Sequence, residues 1–136
     1  MLEHVCKNVG SVRLFWLLVC VLAAGSLSGC AARSTPVSDV DQATALITKT
    51  FDEWKNGASL ESQREKSPPV YVAEELWLNG TKLSGYKLTE PGEVFGTNIR
   101  FRVTLNCADK SGAPKSRDLK YLVTTTPACT IAREDR

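Results

Sequence analysis

Histidine narrows the chemistry first, because the chain has one and it sits at position 4. Everything downstream of His4 lacks the imidazole base of a Ser-His-Asp or Cys-His mechanism. It also lacks the imidazole ligands that most catalytic zinc sites use. Cysteine comes next. Cys6 and Cys20 lie in an apolar amino-terminal segment and Cys30 closes it, which leaves Cys107 and Cys129. Two thiols in an oxidising compartment often pair. A bridge, however, needs alpha carbons within about 7 Å, and in a simple meander these two fall near opposite ends of different strands. Cys107 and Cys129 are thus either a disulfide or two buried thiols packed as small hydrophobes. The carboxylates cluster as Asp52-Glu53, Glu74-Glu75 and Glu134-Asp135. An acid–base site would need one of them enclosed, with its pKa raised and a partner such as tyrosine. Tyr71, Tyr86 and Tyr121 are available, but no spacing sets any of them opposite an acid. Adjacent acids are ordinarily solvated. There is no glycine-rich phosphate loop and no Cys-x-x-Cys, so no catalytic, metal or cofactor residue is assigned. The remaining candidates are for contact. Trp77 beside a turn, and Arg100 with Arg102 on the polar side of a strand, offer a surface for a partner. Core packing for Trp77 and a solvated sheet face for the arginines are the competing explanations.

The elements that must hold these residues divide by hydrophobic period. Ser38 reads as a helix N-cap, with Asp39 and Asp41 in a first turn favoured by the helix dipole. Val40, Ala43, Ile47, Phe51 and Trp54 then recur at spacings of three and four, with Leu46 widening the stripe, and Asn56-Gly57 supplies the stop. A helix over about 39–55 is expected. Residues 58–69 are polar, end in Pro68-Pro69 and form a crossing loop with room for a helical turn around 60–64. Beyond them the period becomes two. Strands are expected at 70–73 and 82–88, with Asn79-Gly80 as the turn between them. The strongest strand runs 99–107. It sets Ile99, Phe101, Val103, Leu105 and Cys107 on one face and Arg100, Arg102, Thr104 and Asn106 on the other. Asp109-Lys110-Ser111-Gly112 is turn chemistry. Residues 115–125 return as its hairpin partner, and 128–133 form a last short strand.

The amino-terminal stretch has the parts of an export signal. Lys7 and Arg13 precede an uncharged run from Leu14 to Gly25. As a helix that run spans about 18 Å, short of a ~30 Å hydrocarbon core. Leu27-Ser28-Gly29-Cys30 follows, and these four residues resemble the lipobox of bacterial lipoproteins. The resemblance implies cleavage between Gly29 and Cys30, a diacylglyceryl group on the Cys30 sulfur and acylation of the new amino terminus. Several acyl chains hold a protein on a bilayer stably where one does not. Ala31, rather than aspartate, implies outer-membrane sorting in a host with two membranes. Three segments follow: a signal peptide over 1–29, a lipidated tether over 30–38 and one domain over 39–136. The tether's Ala31-Ala32-Arg33-Ser34-Thr35-Pro36 is small and polar, as a flexible linker should be.

One helix followed by an antiparallel sheet of about four strands is an α+β plan, with the helix stripe on the apolar face of the sheet. The element order resembles the cystatin-like roll shared with the nuclear-transport-factor and ketosteroid-isomerase superfamilies. It also resembles small exported bacterial proteins whose helix ends Trp-Lys-x-Gly, here Trp54-Lys55-Asn56-Gly57. An immunoglobulin-like sandwich is the alternative architecture, against which the long helix argues. The Gln-x-Val-x-Gly loop of cystatin inhibitors is absent, with only Gln42 and Gln63 in the chain. The net charge of +2, from interspersed charges of both signs, gives no basic face for nucleic acid. The expected function is that of a lipid-anchored envelope protein whose domain contacts another protein or an envelope component. Its partners are then the membrane, through the Cys30 lipid, and an unknown macromolecule. A small-molecule-binding or isomerase-like roll with an internal pocket is the alternative.

Overall fold

The first helix, α1 (Val40–Lys55), buries Ala43, Ile47, Thr50, Phe51 and Trp54 along one stripe. Its N-cap is Asp39, whose side chain accepts from the Gln42 amide at 2.8 Å. Ser38, expected as the cap, sits one residue earlier and does something else. It is 4 % exposed, its amide donates to the Thr97 carbonyl and its hydroxyl accepts from the Thr125 amide, both at 3.0 Å. Ser38 therefore pins the start of the helix to the sheet, while the next residue does the capping. At the other end Gly57 takes φ +87°. The Gly57 amide returns to the Trp54 carbonyl and the Ala58 amide to the Glu53 carbonyl, which satisfies two orphan acceptors.

The structure is a computed structural model describing residues 36–108 and 111–134. The expected signal segment, its Gly29–Cys30 cleavage point and the Cys30 lipid site lie outside the described residues. After α1 come α2 (Leu60–Arg64), β1 (Val70–Ala73), α3 (Glu75–Leu78), β2 (Leu83–Leu88), β3 (Glu93–Phe95), β4 (Asn98–Ala108), β5 (Pro114–Thr124) and β6 (Cys129–Arg133). The fold is α+β, with the amino-terminal helix packed on the sheet.

That sheet has six strands in the order β1-β6-β5-β4-β2, with β3 also paired to β4. The β2-β4-β5-β6 meander is antiparallel, but β1 runs parallel to β6, so the sheet is mixed. The difference from the expected four-strand antiparallel sheet has a local origin at Asn79-Gly80. This dipeptide does not close a hairpin between β1 and β2. It ends α3, with Gly80 at φ +75° and the Gly80 and Thr81 amides returning to the Trp77 and Leu76 carbonyls. The chain thus leaves β1 through a helical turn and crosses to the far edge of the sheet, which frees β1 to pair with β6.

β2 and β3 share one lane beside β4. Leu83–Leu88 lies against Val103–Cys107, and Glu93–Phe95 lies against Asn98–Arg100. Gly92, in the crossing between them, approaches the sheet closely. A Cβ there would fall 2.6 Å from Ile99 Cγ2 and 2.8 Å from the Phe101 ring. Above the sheet Phe51 meets Trp54, Tyr86 and Tyr121 edge-on, with ring centroids 5.1–5.9 Å apart. Ile47, Ile99, Phe101, Leu105, Val123 and Ile131 complete a core sealed from water.

Candidate functional site

Period-two alternation sends odd-numbered residues of β4 and β5 toward the helix and even-numbered ones to the outer face. The two faces hold the two places where polar side chains converge.

On the inner face lies an acid–tyrosine cluster. Glu74 follows Val70 and Val72 on the inward side, and its carboxylate is fully buried. It accepts from the Tyr121 hydroxyl, from Arg133 Nη1 at 3.1 Å and from the Leu76 amide at 2.8 Å. Arg133 Nη2 also reaches Glu75 at 2.5 Å. Burial pushes the Tyr121 hydroxyl far above its ordinary range, and the charge of Glu74 and its hydrogen bond push it further. Isomerase-type chemistry uses an acid and a tyrosine that both face a substrate. Here each is the other's partner, so the cluster ties β1 and α3 to β5 and β6. The sequence carried a signal for it: Glu74 continues the inward period of Val70 and Val72, and Tyr121 shares the inward face with Val123.

Trp77, taken as a candidate contact residue, is 6 % exposed and belongs to the core. Its indole stacks on that of Trp54 at 5.0 Å and 5°. The two rings exchange anchors: Trp77 Nε1 donates to Ala58 just after α1, and Trp54 Nε1 donates to Thr81 just after α3, both at 3.0 Å. The turn expected beside Trp77 is a helix end, and that geometry turns the ring inward.

The candidate disulfide does not form, and Cys107 and Cys129 are free thiols. Cys107 pairs with Lys115 at the open end of β5, while Cys129 lies near Thr125, with its Sγ 3.9 Å from that carbonyl. Positions 115 and 125 on an extended chain stand roughly 33 Å apart, far beyond bridging distance. Burial pushes the Cys107 thiol up, which makes it a packed hydrophobe rather than a nucleophile.

Arg100 and Arg102 lie on the outer face, as the alternation requires. Arg100 is held there. Its guanidinium lies 3.4 Å from the Phe95 ring centroid, and Nη2 meets Glu134 Oε1 at 2.7 Å. Arg102 is more open, more than half exposed and 3.3 Å from Glu90. Directly across the ladder stands Lys120, so two cations face each other on the same side of the sheet. They line an open cleft of about 800 Å³ with Thr89, Glu90, Thr104 and Asp118; Arg133 and Glu134 border it. Thr104 Oγ1 and Asp118 bond at 2.5 Å across that surface. The cleft offers hydroxyls, carboxylates and cations within one concavity. That suits recognition of a polar surface or chain.

The chain matches no known protein family, no curated protein and no solved structure.

Proposed function

We propose that this chain is a lipid-anchored cell-envelope protein whose domain is a non-enzymatic interaction module, meeting its partner across the outer face of the sheet. The observation that carries the reading is the opposition of Arg102 and Lys120 in the 800 Å³ cleft. Like charges directly across an antiparallel pair are unfavourable in an isolated sheet. Departures of this kind from local consistency are expected where a surface serves a partner.

The inner face argues in the same direction. An internal ligand site would keep an acid or tyrosine facing an open space. Tyr121 and Phe51 are instead sealed by packing, and the Tyr121 hydroxyl is held by Glu74. Anchoring rests on Leu27-Ser28-Gly29-Cys30 at the end of the apolar run. The proposed location is the envelope, and the outer membrane where the host has two membranes.

Two experiments test the parts separately. Intact mass of the detergent-extracted protein should show a chain that begins at Cys30 and carries acyl groups. A full-length, unacylated chain as the only product overturns the anchor. In-cell crosslinking followed by mass spectrometry should recover a reproducible partner that is lost in Arg102→Glu. Recovery of a bound small molecule without any macromolecular partner overturns the interaction module.

A further inference from the structure

β6 is shorter than the strand it pairs with, and among the described residues the remainder of that lane is open. β5 extends over Pro114–Thr124, but β6 pairs only with Tyr121–Thr124. Among the described residues, the last contact is the Glu134 amide on the Lys120 carbonyl. Period two then fixes which backbone groups face the open lane. Since Lys120 aims its carbonyl toward β6, Asp118 and Ser116 aim their amides and carbonyls the same way, while 115, 117 and 119 bond to β4. Among the described residues, no strand pairs with this side of 114–118, and all of those positions are exposed. The free edge borders the outer-face cleft, whose lining includes Asp118 and Lys120.

The charge along this edge is one-sided. Among the described residues, Lys115, Arg117 and Lys120 make no ion pair, and the acid on this stretch, Asp118, accepts a hydrogen bond from Thr104. We infer that the open half of β5 takes an extended, acidic peptide segment of a partner protein as an added antiparallel strand. Main-chain bonds to Ser116 and Asp118 supply the pairing, and alternate acidic side chains meet Lys115 and Arg117, whose odd positions put them on the helix side of the edge, opposite the cleft. A second copy of this chain fits less well. The two antiparallel registers available to a β5–β5 pair set Arg117 against Arg117, or Lys115 against Arg117, and like charges in those positions repel. Lysine and arginine on an edge also discourage self-pairing, and that selectivity leaves an acidic strand as the favoured occupant.

The inference rests on the interaction-module reading and names the chemistry of its partner. It is tested by selecting a phage-displayed library of random nine-residue peptides on the full chain in detergent. The selected peptides are then measured by fluorescence anisotropy. Enriched peptides should carry aspartate or glutamate at alternate positions. They should bind Ser116→Pro at least tenfold more weakly, because proline removes an amide that points into the lane and leaves the β4 ladder intact. Ser116→Ala keeps that amide and should bind like the parent. Lys115→Glu with Arg117→Glu should also weaken binding at least tenfold. Unchanged circular dichroism and melting temperature show that each variant is folded. Absence of enrichment, enrichment of basic or neutral peptides, or equal binding to Ser116→Pro overturns the inference. So does a sedimenting dimer that Ser116→Pro dissolves, which assigns the edge to a second copy. A partner crosslinked in cells equally well by Ser116→Pro removes the added strand and keeps the interaction module. Absence of any crosslinked partner removes the module itself.

Discussion

At the scale of single residues, the buried polar groups test whether the inner face is structural. Tyr121→Phe leaves the enclosed Glu74 carboxylate with one donor fewer, which costs about 1–3 kcal/mol in a denaturant melt. Partner recovery should not change. Tyr86 gives a pH signature. Burial pushes its hydroxyl up to about 12 from an ordinary 10.0, helped by its bond to the Asp52 carboxylate, while the Thr48 side chain acts the other way. Between those two values the folded protein keeps a proton that the unfolded chain has released. Stability is therefore intact below pH 10 and falls as pH rises toward 12. The alkaline arm of the melting-temperature curve should flatten in Tyr86→Phe; an unchanged slope means the hydroxyl does not titrate as its surroundings require. Pattern alone could assign Glu74 and Tyr121 each to an inward face. Their meeting could not be read, because it depends on β1 lying beside β6, a pairing between segments distant in sequence.

At the scale of elements, one dipeptide shows where sequence patterning stops. Asn56-Gly57 and Asn79-Gly80 are the same signal, and both end helices through a left-handed glycine. The first follows a five-residue apolar stripe that marks its helix. The second follows only Glu75–Leu78, too short to display a helical period, so a hairpin turn was the natural expectation. The same short helix turns Trp77 inward, which decides for core packing over a contact role. Trp77→Ala should lower stability by about 3–5 kcal/mol as the indole stack and its anchor are lost. A stable variant that only loses its partner would restore Trp77 to the surface. β3 escaped notice because Glu93–Phe95 is too short for alternation to register. Gly92, which precedes it, has no room for a methyl group. Gly92→Ala should cost about 1–3 kcal/mol in thermal unfolding through displacement of Ile99 and Phe101, whereas no loss would mean the crossing relaxes freely. The strand with clear alternation, 99–107, was legible almost to the residue, since it buries one face and exposes the other, and 115–125 followed as its hairpin partner.

At the scale of the whole molecule, a helix covers one face of the sheet and leaves the other to solvent, and that asymmetry underlies the functional reading. The helix stripe and the inward alternation announced the covered face. The open face was announced only as alternating Arg100, Arg102 and Thr104. Its concavity and the opposition of Arg102 to Lys120 depend on how β5 returns beside β4. Among the described residues, the short β6 leaves part of β5 unpaired for an equally global reason, the length mismatch between paired strands. The exposed lysines report on each side separately. Lys87 and Lys120 lie on the outer face of β2 and β5, and Lys49 and Lys55 lie on α1. Amine-reactive crosslinking in cells, with the crosslinked positions mapped by mass spectrometry, therefore tests the central claim most directly. Intermolecular crosslinks should concentrate on Lys87 and Lys120. Crosslinks confined to Lys49 and Lys55 would contradict the account, because they would place the partner on the helix and leave the outer sheet face unused.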